Sequence, residues 1–522
     1  MNARVVIIVF TAALASLLEI IDASIVNVAI PSMMGNLGAT LDEVSWVTTG
    51  YMIANSIVLP IAAWIGTRLG RRKYFTTAIL LFTLSSFFCG IAPNLGFLIF
   101  FRILQGLAGG ALLPTSQTLI QEQFPPEKAG MAMAIFGLSV MVGPALGPTL
   151  GGYLTDNFGW RSIFNVNVPL GLAAAAMAWF NVQNATYKKK EGDPDIAKGV
   201  DWWGLLFLCV GVGCGQYILE RGESEGWWDS NVIRTCAVFA VIGVSSFIYW
   251  ELKISNPIMN LRLFKSNVLR SGTMLMLALG VMLYSLTFAI PVFVSRVMPQ
   301  MSATQTGMLF MPGSLITAAM MLPVGWSLSK VSPKILVFIG ISIGLSSVIY
   351  MTTFTTETGA NDILIPLLLR GLAMAFLFIP INQMVLGAFR GEELAQVSGM
   401  QNFFRQLGGS IGIASLDTLI TRFSAQNYND LLSRVSALGA VSYQDITRLR
   451  GFANSKLASG IGLTDPATLA IKSLYGRVAR QVFVMSFGQL CWVIAGIVAC
   501  SLIPLYFIKP VKRAGPPIMD AH

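Results

Sequence analysis

Histidine occurs once in this chain, at the final position, His522. Proton transfer within the protein therefore falls to carboxylates. Charged residues are equally scarce, 11% of 522 positions, where a soluble domain carries roughly a quarter. Such a chain cannot cover a water-facing surface. The six cysteines (Cys89, Cys209, Cys214, Cys236, Cys491, Cys500) sit inside apolar runs with no C-x-x-C spacing. They read as small core hydrophobes, and neither a disulfide framework nor a metal site is expected. No G-x-x-x-x-G-K-[ST] loop occurs, which argues against ATP hydrolysis, and no cofactor is called for. A single terminal histidine likewise argues against a membrane enzyme. The first apolar run begins at Val5 and passes Glu19 and Asp22 without a small-residue cleavage pattern, so it is expected to remain as the first span.

What is present is hydrophobic sequence, 54% of the chain, with a mean hydropathy of +0.68. Apolar runs of about 20 residues recur along the whole length, each able to cross a hydrocarbon core of about 30 Å. They are too long for barrel strands, so the fold class expected is an all-α integral membrane bundle. Fourteen runs are read at 5–30, 44–66, 74–92, 97–121, 130–154, 162–182, 202–219, 232–252, 268–294, 303–328, 334–354, 363–388, 395–416 and 483–508.

The net charge of +10 could suggest nucleic acid or anionic lipid. Its distribution gives a topological cause instead, and no nucleic-acid partner is expected. One side of the bundle collects Arg4, Arg68, Arg71, Arg72, Lys73, Lys128, Lys188, Lys189, Lys190 and Lys198. Lys253, Arg262, Lys265, Arg270, Lys330, Lys334, Arg390, Lys509, Lys512 and Arg513 join them. The short loops of the other side offer Arg161, Arg221, Arg234 and Arg296. By the positive-inside rule both termini are cytoplasmic, in agreement with an even span count. Residues 183–201 read as a charged cytoplasmic linker, and 417–482 as a polar loop outside the membrane. Asp465-Pro466 has the form of an N-cap followed by Pro at N1, so a helix is expected to start there and run into the last span.

The chain also echoes itself. Pro60 to Lys73 carries Trp64 and Arg68, while Pro323 to Lys334 carries Trp326 and Lys330 in matching order. Arg102 is followed by Gly106-Leu107-Ala108, Pro114 and Gln117; Arg370 is followed by Gly371-Leu372-Ala373, Pro380 and Gln383. These landmarks lie eight spans apart. They imply a six-helix half at 1–182, two inserted helices at 202–252, and a second six-helix half at 253–522 that includes the long loop.

Ionisable groups inside spans are expensive and are functional candidates by default. Glu19 and Asp22 stand i, i+3 and share one face of the first span. At about 1.5 Å per residue, Glu19 falls just past mid-membrane and Asp22 toward the outer half. Either the pair takes up and releases protons, or one acid is a structural hydrogen-bond partner. Arg102 lies at a depth like that of Asp22 and is expected to face it, as a coupling group or as a static ion pair. Arg370 holds the corresponding depth in the second half, and Arg405 lies near mid-span. No second-half acid is evident, which leaves backbone carbonyls or an anionic group as partners for Arg405. Amides inside spans seek partners, so Asn27, Gln117, Asn382, Gln383 and Asn402 join Arg370 and Arg405 as substrate-cavity candidates. Gly143, Pro144, Gly147, Pro148, Gly151 and Gly152 allow close helix approach and a bend.

These residues resemble the fourteen-span drug:proton antiporters of the major facilitator superfamily, the EmrB/QacA type, over nearly the whole chain. The likeness rests on L-E-I-I-D-A-S-I-V-N-V-A-I-P (Leu18 to Pro31), Trp46-Val47 with Tyr51, and Arg102 with Gln105 and Gly106. G-P-A-L-G-P-T-L-G-G (Gly143 to Gly152) and W-R-S-I-F-N-V-N-V-P (Trp160 to Pro169) complete it. It implies a major facilitator fold in the inner (plasma) membrane and export of a small-molecule substrate against protons. The substrate is an amphipathic drug or, alternatively, one endogenous metabolite such as a siderophore, amino acid or fatty acid derivative. In a host with two membranes it implies a periplasmic adaptor protein and an outer-membrane channel, with 417–482 facing the adaptor. The glycine and proline run would limit ion leak. The loop after span two departs from the family at Ala63 and Thr67, where glycine and aspartate are usual. The family's charge-relay gating is therefore not carried over to it, while Arg68, Gly70, Arg71 and Arg72 remain and the loop keeps its positive-inside role.

Overall fold

The computed structural model describes residues 3–125, 128–183, 201–255, 257–301, 303–437, 447 and 466–508. All regular structure there is helical. The chain order is α1 (Ala3–Leu37), α2 (Leu41–Val58), α3 (Ala62–Leu69), α4 (Arg71–Gly90), α5 (Leu95–Gly109) and α6 (Leu112–Glu122). It continues with α7 (Ala129–Phe158), α8 (Ser162–Asn165), α9 (Asn167–Asn181), α10 (Trp202–Arg221) and α11 (Asn231–Lys253). The remainder is α12 (Asn267–Val297), α13 (Ala303–Ser327), α14 (Pro333–Met351), α15 (Ala360–Leu386), α16 (Glu392–Ala437), α17 (Pro466–Cys500) and α18 (Leu502–Phe507).

Each of the fourteen apolar runs falls on one of these helices or on a pair broken by a short step. Among the described residues eleven helices are long and apolar enough to cross a bilayer, or up to thirteen if each of two bent pairs is one span. The expected span outside that group is α16, which carries more polar and charged residues. One bend, of 62°, separates α2 from α3. It falls at Leu59-Pro60-Ile61, where proline cannot continue the ladder. The other, of 43°, lies in α7 beside Pro144.

Local chemistry fixes the ends. Thr40 and Glu43 form a reciprocal capping box at the start of α2, with the Thr40 N–H donating to Glu43 Oε2 at 2.8 Å. Gly70 joins α3 to α4 at φ +83°, a left-handed conformation that favours glycine.

The expectation of a polar loop from residue 417 is corrected at its N-terminal end. The sequence contains no glycine or proline from residues 413 to 437, and α16 continues unbroken to Ala437. The added residues 417–437 make about 30 Å of helix. Asn427 on this extension is buried and donates to Ser486 Oγ (2.9 Å) and Gln489 Oε1 (3.0 Å) of α17. The start of α17 at Pro466 matches the proline position expected from sequence. The middle of this segment, and residues 184–200 of the expected linker, lie outside the described residues.

Helices α1, α2, α4, α5, α6, α7 and α9 form one packed group, and α12 to α17 another. They meet through α7 against α13 and α15, α6 against α16, and α3 against α16. The α10–α11 pair stands at the edge. Only 22% and 17% of their apolar windows are buried against protein, compared with 67% in α15. A set of large side chains including Phe239, Val241, Ile242 and Tyr249 points outward from α11. Helix α10 touches both α2 and α16.

Candidate functional site

α1 crosses the first group with both acids buried, Glu19 at 3% and Asp22 at 0% exposure. Close approach of α7 makes that possible. A Cβ at Gly143 would meet Ile20, at Gly147 Ser24 and at Gly151 Ile25. Glycines at these places let α7 lie against α1 while the acids turn toward α2 and α5. Gly152 faces Thr304 of α13 instead.

Asp22 is saturated. Its Oδ2 accepts from Arg102 Nη1 at 2.6 Å, and its Oδ1 from Gln105 Nε2 (2.9 Å) and Asn167 Nδ2 (2.8 Å). Arg102, fully buried, also donates to Gln105 Oε1 at 2.7 Å and to the Val47 carbonyl at 3.1 Å. Its guanidinium lies 4.3 Å from the centre of the Tyr51 ring, which suits a weakly hydrated planar cation. Ser86 accepts from Asn167 and donates to the Phe164 carbonyl, tying α4 to the same knot. A buried ion pair is tolerable only when the remaining donors and lone pairs are also satisfied, and here most are. Gln105 is named beside Arg102 in the sequence motif and Asn167 stands inside another, but neither is read from sequence as a partner of Asp22. Ser86 carried no signal at all.

Glu19 differs. Its Oε1 accepts from Asn55 Nδ2 at 2.9 Å, while its buried Oε2 has no hydrogen-bond partner. The charge of Arg405 reaches it from α16. Arg405 is 1% exposed and donates to the Tyr284 hydroxyl at 3.0 Å and to Asn402 Oδ1 at 3.5 Å.

Three of the amides expected in the cavity are joined to one another. Gln117 Nε2 donates to Asn382 Oδ1 at 2.7 Å, and Gln117 Oε1 accepts from Asn402 Nδ2 and Ser398 Oγ, each at 2.7 Å. α6, α15 and α16 are thereby bolted together across the two groups. The adjacent Gln383 is half-buried, and its Oε1 has no partner. Asn27 is exposed on α1, away from this network.

Arg370 sits apart, beside a cavity between α7, α12, α13 and α15. It donates to the Leu283 carbonyl at 3.2 Å and Thr287 Oγ1 at 2.5 Å, and its Nε has no partner.

The basic loop keeps two echoes of the repeat. Arg68 lies over Trp64 at 4.4 Å, and Lys330 over Trp326 at 4.0 Å. Arg72 lies over Trp179 at 4.5 Å. Thr67, where an aspartate would be usual, donates back to the Trp64 carbonyl at 2.9 Å. The carboxylate beside Arg71 comes from Glu122 at the end of α6. That partner was not read from sequence.

Among the described residues no cluster of three or more His, Cys, Asp or Glu could hold a metal ion. The geometry is one of paired intramembrane charges and amide bridges between two helix groups.

A profile of the Major Facilitator Superfamily matches residues 12–413. Multidrug export protein EmrB of Escherichia coli (strain K12) is 31% identical over 519 residues, covering 98% of this chain and 97% of that protein. Fatty acid resistance protein FarB of Neisseria gonorrhoeae is 30% identical, covering 96% of each. Among solved structures, the proton:xylose symporter XylE superposes with a TM-score of 0.56 at 13% identity, covering 95% of each chain. The fold is therefore that of a multi-pass helical membrane transporter, and the chain belongs to the Major Facilitator Superfamily, in its EmrB-type branch.

Proposed function

We propose that this protein exports amphipathic, drug-like compounds across the inner membrane in exchange for protons. In this reading both termini are cytoplasmic. Two six-helix halves, 1–182 and 253–522, flank the inserted pair 202–252, giving fourteen spans with α16 included. The naming of relatives as multidrug export proteins supports it.

The observation that carries the proton half is Asp22, held by Arg102 with no contact to water. Protonation removes the charge that holds the guanidinium. Arg102 then keeps Gln105, the Val47 carbonyl and the Tyr51 face but loses its ion pair, so the α1–α5 contact is free to change. Glu19, with one unpartnered oxygen, is the second group able to take a proton. The Gln117–Asn382–Asn402 bridge closes the cytoplasmic end while those acids are charged. Substrate release and proton entry then alternate with opening of that bridge.

The test is substrate-dependent proton movement in liposomes under an imposed pH gradient. Substrate driving no proton flux, or Asp22→Asn retaining full coupling, counts against the proposal. Export of one endogenous metabolite is the second reading, favoured by the fatty acid resistance relative; a dye panel followed by cell metabolites separates the two. A periplasmic adaptor and outer-membrane channel complete the route in a two-membrane host, docking on 417–482. Membrane pull-downs that recover no adaptor would remove that part.

A further inference from the structure

The start of α10 and the end of α11 bring two carboxylates together, on elements that the proposed coupling does not use. Asp201 is 8% exposed and Glu251 0%. Each acid has one satisfied oxygen and one bare oxygen. Asp201 Oδ1 accepts from the Gly204 N–H and from Trp250 Nε1, both at 2.9 Å, and Glu251 Oε2 accepts from the Met259 N–H at 3.2 Å. Asp201 Oδ2 and Glu251 Oε1 have no hydrogen-bond partner. A Cβ at Gly204 would collide with both bare oxygens, so they are aimed at one spot. The surrounding charges do not answer them. Arg262, in the 261–265 turn that packs on α11, donates to the Leu252 and Ile254 carbonyls at 3.1 and 3.2 Å, and Lys253 lies over the Tyr249 ring at 5.7 Å. Asp42 and Glu43 at the start of α2, Glu220 near the end of α10 and Asp229 before α11 lie at the opposite end of the pair. Glu393 at the start of α16 is exposed. Among the described residues neither Asp201 nor Glu251 forms an ion pair.

Two buried carboxylates aimed at one point repel each other when both are charged. Two bare acceptors without a donor are both satisfied by a single hydrogen. A metal ion asks for more oxygen ligands than this pair presents, and among the described residues no cluster of three or more His, Cys, Asp or Glu exists. We propose that Asp201 and Glu251 hold one proton between them, as a binding site separate from Asp22 and Glu19. The proton latches the start of α10 to the end of α11, and through Met259 it holds the segment that leads into α12. Its loss sets two like charges face to face and opens the latch, so this end of the inserted pair responds to the pH of the water beside it. The proton site does not depend on export. Only its placement on the cytoplasmic side rests on the orientation proposed above.

The test is infrared difference spectroscopy of the full chain in a nonionic detergent at neutral pH, each variant against wild type. Wild type is expected to show a protonated-carboxyl band that is lost in Asp201→Asn and in Glu251→Gln alike. Either amide supplies the missing donor and leaves the other acid a carboxylate. A band unchanged in both variants means that both acids are ionised, and a band lost in only one means that nothing is shared; either result overturns the site. Loss of the wild-type band on adding sodium, potassium or magnesium chloride assigns the pair to a cation, also against the proposal. The latch is read by thermal unfolding across pH. The folded chain binds one more proton here than the unfolded chain, so the wild-type midpoint should fall as pH rises through the titration of the pair. That part of the slope should be absent from Glu251→Gln, and superimposable curves would overturn the latch. Both readouts are taken without substrate or a pH gradient, so absent proton coupling in liposomes would count against the export reading and leave this site standing.

Discussion

In the first helix group Arg102 is locked to Asp22 at 2.6 Å, with Gln105 and Asn167 filling the other carboxylate oxygen. In the second group Arg370, at the matching place in the repeat, meets a carbonyl, a hydroxyl and a cavity. The repeat has kept the cation and changed its surroundings. A neutralised arginine can respond to one small event, the arrival of a proton on its partner. Internal symmetry supplied two similar parts, and among the described residues only the first faces an acid.

The largest expected effect comes from breaking the neutralised side. Asp22→Asn should lower uphill, pH-driven transport by about 100-fold while downhill exchange continues, as measured in proteoliposomes. Asp22→Leu goes further by stranding Arg102, and should cost about 3–5 kcal/mol of stability. Thermal unfolding in detergent checks it, and restored stability in the double change with Arg102→Met would confirm the cause. A single variant as stable as wild type would mean that the pair is not what holds α1 to α5.

Next is the packing that presents both acids. Gly147→Val puts a branched side chain where Ser24 stands. Overpacking of this kind costs about 1–3 kcal/mol, and transport should fall about ten-fold with expression reduced. Gly152→Ala, which meets only Thr304, should be milder in the same assay.

Asn402→Ala addresses the seam between the groups. Its loss removes one bond to Gln117 across the seam and one to Arg405 within α16, and only the first, worth about 1 kcal/mol, opposes separation. Spin-label distances between α6 and α16 should shift toward the separated population by about five-fold. The smallest effect is expected at Arg71–Glu122, a partly exposed pair. Glu122→Gln should change transport by about two-fold or less, because such pairs are worth about 0–1 kcal/mol.

The sequence was informative where one helix answers to itself. Depth counted along α1 and α5 put Asp22 and Arg102 at one level, and periodicity put Glu19 and Asp22 on one face. Cross-helix partners were another matter. Asn55, Ser86, Tyr284 and Thr287 are ordinary polar residues in apolar runs, and their role depends on how neighbouring helices rotate. Arg405 lacked a visible acid because an electrostatic neighbour such as Glu19 lies on another helix, 386 residues earlier. The extension of α16 was misjudged for a different reason. Polarity was read as loop, yet a helix leaving the membrane can remain a helix when nothing breaks it and a buried Asn427 finds Ser486. The Thr67 departure was visible, whereas its replacement by Glu122 required two distant segments to be seen together.

The peripheral pair is fastened on both sides of the seam between the groups. Gln216 of α10 donates to Ser410 of α16 at 2.5 Å, and the adjacent Arg221 donates to Ser45 of α2 at 2.5 Å. In the proposed transport cycle, rocking of one group against the other would break one of these fastenings, and the pair would travel with the side that still holds it. Its outward face of Phe239, Val241, Ile242 and Tyr249 would sweep through acyl chains like a paddle. In that cycle the viscosity of the surrounding lipid would enter the turnover time, a drag that a bundle without the two extra helices would not feel.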